Sequence, residues 1–142
     1  MHNLFSVGYL NPDALDLLQE RIDQGAVILD IRLIAGSRYR PDFSGKRLRE
    51  RFGAAYLRAM ELGNKNYNRP GAPIVLVNPE KGIARLLTLL EQTDVCLLCR
   101  CQQFALCHTA TVVAEAQRVN PDIHVARLGE NVAEREDLRH VS

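Results

Sequence analysis

The stretch "VCLLCRCQQFALCHTATVVAEA", residues 95–116, decides the fold class. Val95 to Leu98 is a continuous apolar run, which is typical of a strand buried on both faces of a parallel sheet. Residues 99–107 are predicted as a loop, and Thr109 to Val119 has the apolar spacing of a helix. A strand, a loop and a helix in this order predict one unit of an α/β fold.

The same alternation of strand and helix extends over the rest of the chain. We therefore predict a three-layer, Rossmann-like α/β fold with a mainly parallel sheet flanked by helices. Further strands are predicted at Leu4–Val7, Ala26–Leu29, Ala54–Leu57 and Ile123–Leu128, with a strand or extended segment at Ile74–Val77. Further helices are predicted from Asn11-Pro12-Asp13 to Gly25, over Gly45–Phe52 after a Ser44 cap, and from Asn78-Pro79-Glu80 to Gln92.

Length and composition narrow the domain organisation and the kinds of partner. The 142 residues are 46% hydrophobic and 25% charged, which predicts one globular domain, residues 4–128, and a charged C-terminal tail, residues 129–142. No apolar run approaches the ~20 residues of a membrane span, and no secretory signal is visible, so we expect a cytoplasmic protein without a membrane partner. The formal net charge of +1 does not favour nucleic acid, which is kept as an alternative partner.

Three polar segments follow predicted strands at their carboxyl ends. They are Gly8-Tyr9, residues 30–40, and the cysteine-containing loop of residues 99–107. Ligands of open α/β sheets bind at this edge, beside the point where the strand order reverses. The sequence therefore predicts that the three segments converge on one pocket.

Residues 30–44, "DIRLIAGSRYRPDFS", place three arginines close to a strand end. A guanidinium group can grip a carboxylate or phosphate with two parallel hydrogen bonds, so we expect a small anionic or nucleotide-like ligand. The alternative is a solvated basic loop in which Arg38 pairs with an acid such as Asp42. The predicted ligand-binding residues are Gly8, Tyr9, Arg32, Ser37, Arg38 and Arg40.

All four cysteines of the chain lie between residues 96 and 107. Cys96 is predicted to be core because it lies inside an apolar strand. Cys107 and His108 lie near the start of a helix, where amides and the helix dipole stabilise a thiolate. Cys99, Cys107 and His108 are therefore candidate catalytic residues, with packing as the alternative.

A metal site is a further alternative for the same loop. Cys99, Cys101, Cys107 and His108 form a Cys3His set that suits zinc, although the spacing is not that of two separated ligand pairs. A disulfide between Cys99 and Cys101 would be strained, and we expect none in the cell.

These motifs resemble, in the same order, a bacterial family named only as domain of unknown function, family 488. The resemblance implies a compact three-layer α/β fold with a pocket at the strand ends, and no established activity. Two positions depart from the family pattern, because Cys101 stands where the family has a glutamate and Thr109 where it has an arginine. The matching stretches are "SVGY" at 6–9, "LDIRLIAGSRYRPDFS" at 29–44, "YLRAMELG" at 56–63 and "CRCQQFALCH" at 99–108.

Three hypotheses about function remain open from the sequence. The first is a domain that binds a small anion, with Cys107 and His108 beside its reacting end. The second is a rhodanese-like sulfur-transfer or redox domain, although "RCQQFALCH" lacks the glycine and the closing arginine of that active loop. The third is a non-catalytic module that binds metal, a protein partner or nucleic acid. No glycine-rich nucleotide fingerprint is present, so no cofactor is implied.

Overall fold

The fold is a five-stranded sheet between two layers of helices, seen in a computed structural model that describes residues 1–36, 38–100 and 107–129. In chain order the strands are β1 (Leu4–Gly8), β2 (Val27–Asp30), β3 (Tyr56–Arg58), β4 (Val95–Cys99) and β5 (Val125–Arg127). Their order across the sheet is β3-β2-β4-β1-β5, and every pairing is parallel. The predicted three-layer α/β fold is confirmed.

Each face of the sheet is covered by two helices. The helices are α1 (Ala14–Asp23), α2 (Gly45–Phe52), α3 (Pro79–Gln92) and α4 (His108–Val119). Residues of α1 and α2 pack in one core cluster with Cys96 and Leu98, whereas α3 and α4 pack in the other with Leu97 and Cys99. Alternate β4 residues thus face opposite layers, which explains why this strand is apolar throughout.

The register brings the ends of the three central strands together. Gly8 of β1 is level with Cys99 of β4, and Asp30 of β2 is level with Leu98. Beyond the strands, Tyr9 N donates to the Cys99 carbonyl at 2.9 Å, and Leu10 N donates to the Arg100 carbonyl at 3.2 Å. The segments that follow β1, β2 and β4 therefore leave the sheet side by side.

The two Asn-Pro-acid sequences begin their helices differently. Asn78 caps α3, because its side chain accepts a hydrogen bond from Lys81 N and Pro79 is the first helical residue. In the other sequence the Asn11 side chain accepts instead from Asp13 N at 2.9 Å. That turn delays α1 to Ala14, so the predicted helix start at Pro12 was wrong.

The segment Ile74–Val77 is extended but is not a strand. Its only ladder contact among the described residues is one antiparallel bridge between Asn64 and Leu76. Ile74, Val75 and Val77 are exposed, and only Leu76 of this run is buried. The apolar run therefore lies over the surface, without a neighbouring strand to extend its pairing.

Two further differences concern short segments. A 3₁₀ turn occupies Gly53–Ala55, so the predicted strand at Ala54–Leu57 is shortened to Tyr56–Arg58. The last strand is likewise shorter than predicted, at Val125–Arg127.

The predicted tail falls outside the described residues from 130 onward. Among the helices described, none is long and apolar enough to cross a membrane.

Candidate functional site

A cleft of about 500 Å³ lies at the carboxyl edge of the sheet. Its wall comes from Tyr9 after β1, the segment after β2, the polar loop 64–74, Arg100 after β4, and the first residue of α4. Arg32 lies on this wall together with Arg100, which is the one described residue of the cysteine-containing loop in the lining, and with His108 of α4. The lining residues are Tyr9, Arg32, Leu33, Ile34, Gly36, Arg38, Tyr39, Asn64, Asn66, Tyr67, Asn68, Arg69, Pro70, Gly71, Ala72, Ile74, Arg100 and His108.

A buried ion pair fixes Arg32 at the base of the arginine segment. Arg32 Nε donates to Asp30 Oδ1 at 2.8 Å, and Nη2 donates to Asp30 Oδ2 at 2.7 Å. Nη2 also donates to the Phe43 carbonyl at 2.7 Å. Burial alone would lower the pKa of Arg32, but the hydrogen bonds and charge of Asp30 outweigh it and raise that pKa. The guanidinium is therefore charged and held in one orientation.

Tyr56 and Arg58 complete the surroundings of the Asp30 carboxylate. The Tyr56 hydroxyl donates to Asp30 Oδ2 at 2.5 Å, and Arg58 Nη1 lies 3.5 Å from the same oxygen. Arg58 also donates to the carbonyls of Arg32 and Leu33, at 2.7 and 3.1 Å. Burial, together with the bond to Asp30, raises the pKa of Tyr56 to about 12, so its hydroxyl stays protonated.

One nitrogen of the Arg32 guanidinium takes no part in this hydrogen-bond network. Arg32 is only 6% exposed, and its Nη1 is buried with no hydrogen-bond partner among the described residues. The guanidinium carbon lies 5.3 Å from the centre of the Tyr9 ring, which in turn packs against Phe43. A buried, charged donor without an acceptor is unusual in a folded protein, because it loses its hydration without replacement.

The lining of the cleft is basic. Four arginines and one histidine contribute to its described wall, and no aspartate or glutamate does. Asp30 neutralises Arg32 from below, whereas Arg38, Arg69 and Arg100 are exposed at the rim. The wall therefore presents positive charge and amide groups to any molecule that enters.

His108 connects the cleft wall to Cys107. Its Nε2 lies 2.9 Å from the Ile31 carbonyl oxygen, which can only accept, so Nε2 bears a proton. In the neutral ring Nδ1 is then the acceptor, and it lies 3.9 Å from Cys107 Sγ. Burial alone would lower the pKa of His108, but its contacts with Cys107 and the Ile31 carbonyl outweigh this and raise it.

Cys107 itself lies behind the wall. It is 2% exposed, and its Sγ is 3.4 Å from Oγ1 of the buried Thr109. The Thr109 side chain therefore places a hydroxyl against the thiol. The pair Cys107–His108 can exchange a proton, but only His108 reaches the cleft.

The remaining predicted residues lie beside the cleft. Gly8 ends β1, and Arg40 donates to the Tyr9 carbonyl at 2.9 Å and pairs with Asp42. Cys99 is buried, with Sγ donating to the Val7 carbonyl at 3.8 Å. Cys96 is core, as predicted, and burial raises the pKa of its thiol to about 12.

Part of the metal hypothesis lies outside the described residues. Across residues 1–36, 38–100 and 107–129, no three His, Cys, Asp or Glu side chains are placed to hold one metal ion. Cys99, Cys107 and His108 therefore do not form such a group by themselves. Cys101 and the predicted ligand-binding Ser37 are not among the residues described.

The polar loop 64–74 is the part of the site that the sequence did not predict. Asn64 Oδ1 accepts from Asn66 N at 3.0 Å and from Val75 N at 3.1 Å, and Asn66 Nδ2 donates to the Pro73 carbonyl at 2.7 Å. These bonds shape the loop from within, so it lines the cleft without belonging to a helix or strand. The sequence signal that could have indicated this loop is the alternation of asparagine with cationic and aromatic residues in "NKNYNR".

Comparison with known proteins gives one match. The family described as Domain of unknown function DUF488 matches residues 14–116, which include the arginine segment, the Asp30 network and both ends of the cysteine-containing loop. No match was found among curated proteins or among solved structures. Since the matched range covers well over half of the 142 residues, the chain belongs to the DUF488 family.

Proposed function

We propose that the cleft binds a small anionic ligand whose phosphate or carboxylate group lies against Arg32. The observation that supports this proposal is the buried Arg32 Nη1, which has no hydrogen-bond partner among the described residues. Nη1 has almost no accessible surface, so the side chains over it must shift for an anion oxygen to supply the missing acceptor. A charge-assisted hydrogen bond of this kind is roughly twice as strong as a neutral one. Because Asp30 already fixes the guanidinium, binding would not have to order it.

The size and lining of the cleft favour a nucleotide-like ligand. About 500 Å³ lies within the roughly 300–1,000 Å³ of typical small-molecule sites. The asparagine side chains of the polar loop can donate and accept hydrogen bonds, and Tyr39 and Tyr67 offer exposed ring faces. A nucleoside monophosphate matches this combination of an anion, polar groups and a flat ring.

Thiol-dependent catalysis is a second candidate, favoured by the contact between Cys107 and His108. Transfer of the thiol proton from Sγ to Nδ1 would give a thiolate beside an imidazolium at the start of α4. Cys99, the third predicted catalytic residue, lies at the end of the neighbouring strand β4. Because Cys107 is only 2% exposed, this candidate requires Sγ to become accessible to the substrate.

The first test is calorimetric titration of the purified protein with inorganic phosphate, AMP and citrate. We expect AMP to bind, and Arg38→Ala and Arg100→Ala each to weaken binding about tenfold, since both arginines lie on the cleft wall. Arg118→Ala is the matched control, because Arg118 is an exposed arginine of α4 outside the cleft lining. Absence of binding for all three probes, or equal losses in Arg118→Ala, would contradict the proposal.

A further inference from the structure

The positive charge of the chain is concentrated in one segment. Residues 32–58 contain eight lysines and arginines and two acids, a formal charge of +6, whereas the whole chain has +1. The near-neutral total therefore hides a strongly basic region. Its charged residues are Arg32, Arg38, Arg40, Lys46, Arg47, Arg49, Arg51 and Arg58, against Asp42 and Glu50.

Helix α2 carries half of these cations and presents them to solvent. Leu48 and Phe52 are buried against the sheet, while the cations of the helix are exposed. Lys46 and Arg49 also line a second depression of about 360 Å³, together with Ala35, Gly45, Glu50 and Arg58.

The second depression and the cleft share one wall. Leu33, Ile34 and Gly36 line the cleft, and Ala35 lines the second depression. This short segment is held in place from both directions, because Gly45 N donates to the Ala35 carbonyl at 2.9 Å and Arg58 donates to the Leu33 carbonyl. A chain with repeated negative charges could therefore cross the segment and contact cations on both sides.

Two tyrosines at the cleft have large exposed rings. Tyr39 is 80% exposed and Tyr67 is 56% exposed, and both belong to the cleft lining. Exposed aromatic rings next to arginines are the arrangement on which proteins stack the bases of single-stranded nucleic acids.

We infer that this basic surface binds single-stranded nucleic acid, with one nucleotide in the cleft and a neighbouring phosphate in the second depression. The inference rests on the proposed anion site for the nucleotide in the cleft. It adds a polymeric ligand, stacking on Tyr39 and Tyr67, and phosphate contacts from Lys46 and Arg49. Base edges are not required for these contacts, so recognition is expected to tolerate many sequences.

The experiment measures fluorescence polarisation of a 5′-fluorescein decamer of oligouridylate over a range of salt concentrations, beside calorimetry with AMP. The double variant Lys46→Ala/Arg49→Ala should bind the decamer about tenfold more weakly. It should also lower the slope of log affinity against log salt by about 1 to 2, since two phosphate contacts are lost. Its affinity for AMP should not change, and Arg118→Ala should change neither measurement.

Stacking is tested with Tyr39→Ala, which should weaken decamer binding at least about fivefold, and with Tyr39→Phe, which keeps the ring and should bind as the original protein does. If Lys46→Ala/Arg49→Ala binds the decamer as tightly as the original protein does, and AMP still binds, this inference is overturned but the proposed anion site is not. Absence of binding for both probes would overturn both. Equal binding of heparin or phosphatidylserine vesicles, insensitive to Tyr39→Ala, would reject nucleic acid as the ligand.

Discussion

Arg32 and Arg38 lie on the wall of the same cleft, six residues apart, in opposite environments. Arg32 is 6% exposed and forms a two-point ion pair with Asp30, whereas Arg38 is exposed at the rim. The difference follows from the strand, because Arg32 is two residues beyond the end of β2 and folds back over the Asp30 carboxylate. The comparison distinguishes Arg32, whose ion pair stabilises the fold, from exposed arginines such as Arg38, which only add positive charge to the cleft.

The largest expected effect is the loss of stability when the buried ion pair between Asp30 and Arg32 is broken. Asp30→Ala should lower the free energy of unfolding by about 3–5 kcal/mol, because it leaves the Arg32 charge buried without its partner. Urea denaturation followed by circular dichroism measures this loss.

The matched control is Asp42→Ala, which removes the acid of the exposed pair with Arg40. Its expected cost is at most about 1 kcal/mol, as for exposed pairs in general. Similar losses for the two variants would show that the Asp30 pair has no special role in the fold.

Tyr56→Phe should cost about 1.5–3 kcal/mol, the range for a hydrogen bond to a charged group. The pKa of Tyr56 in the folded protein is raised to about 12, above the ~10 of an unfolded tyrosine. Its contribution is therefore complete below pH 10 and is lost as the pH rises toward 12. Urea midpoints at pH 9 and pH 11.5 should differ more for the original protein than for Tyr56→Phe, and equal differences would contradict this.

Among the exposed residues, the triple variant Arg38→Ala/Arg69→Ala/Arg100→Ala should bind AMP at least about a hundredfold more weakly, because the tenfold losses at Arg38 and Arg100 combine and a third cleft cation is lost. Its stability should change by no more than about 0.5 kcal/mol per site, as for ordinary surface substitutions. Calorimetry and urea denaturation of the same preparation measure the two effects. A large loss of stability would show that the rim arginines, like Arg32, are structural.

The thiols of Cys96 and Cys107 can be compared in the same way, because Cys96 lies in the core and Cys107 lies next to the cleft residue His108. Cys107 should react with iodoacetamide at pH 7 several-fold faster than Cys96, because His108 and the start of α4 favour its thiolate. Burial raises the pKa of Cys96 to about 12 and hides its sulfur in the sheet. Peptide mass spectrometry after timed labelling gives both rates.

Two other labelling results would change the interpretation of the cysteine-containing loop. Slow labelling that a chelator accelerates would indicate bound zinc, in line with the Cys3His hypothesis. Slow and equal labelling of Cys96 and Cys107, with and without chelator, would remove both the metal and the reactive-thiol hypotheses.

The smallest expected effect is the pH dependence contributed by His108. Its pKa in the folded protein is raised above the ~6.5 of an unfolded histidine. The stability that it contributes is therefore complete below about pH 6.5 and is lost as the pH rises through the folded value. In His108→Gln, the urea midpoint should change less between pH 6 and pH 9 than it does in the original protein. An equal change in the two proteins would show that other groups cause the pH dependence.

Continuous apolar strands and the spacing of helices made the fold predictable from the sequence. Val95 to Leu98 is apolar throughout because both faces of β4 are covered. Segments 11–13 and 74–77 were harder. Asn11 accepts from the amide two residues later, whereas Asn78 accepts from the amide three residues later, and the run at Ile74 has one bridge but no partner strand among the described residues. Local patterns do not show which of two competing partners a side chain will take.

The candidate site was predictable where it follows strands and unpredictable where it depends on distant contacts. Arg32 and His108 were predicted because both flank strand ends or helix starts in the sequence. The polar loop 64–74 was not, because its path depends on bonds across the loop, such as those of Asn64 with Val75 and of Asn66 with Pro73, which no helix or strand pattern indicates. The pairing of Asp30 with Tyr56 spans 26 residues and depends on the β2–β3 register.

The position of β1 in the sheet has a consequence for the time at which the protein can fold during synthesis. In the described sheet β1 pairs with β4 and β5, so its first partner strand begins at Val95. At about 5–20 residues per second, a ribosome needs several seconds or more to add that strand. Throughout this interval the apolar residues Leu4, Phe5 and Val7 have no sheet to join. β1 is thus expected to take its place in the sheet only after Val95 to Cys99 have been made.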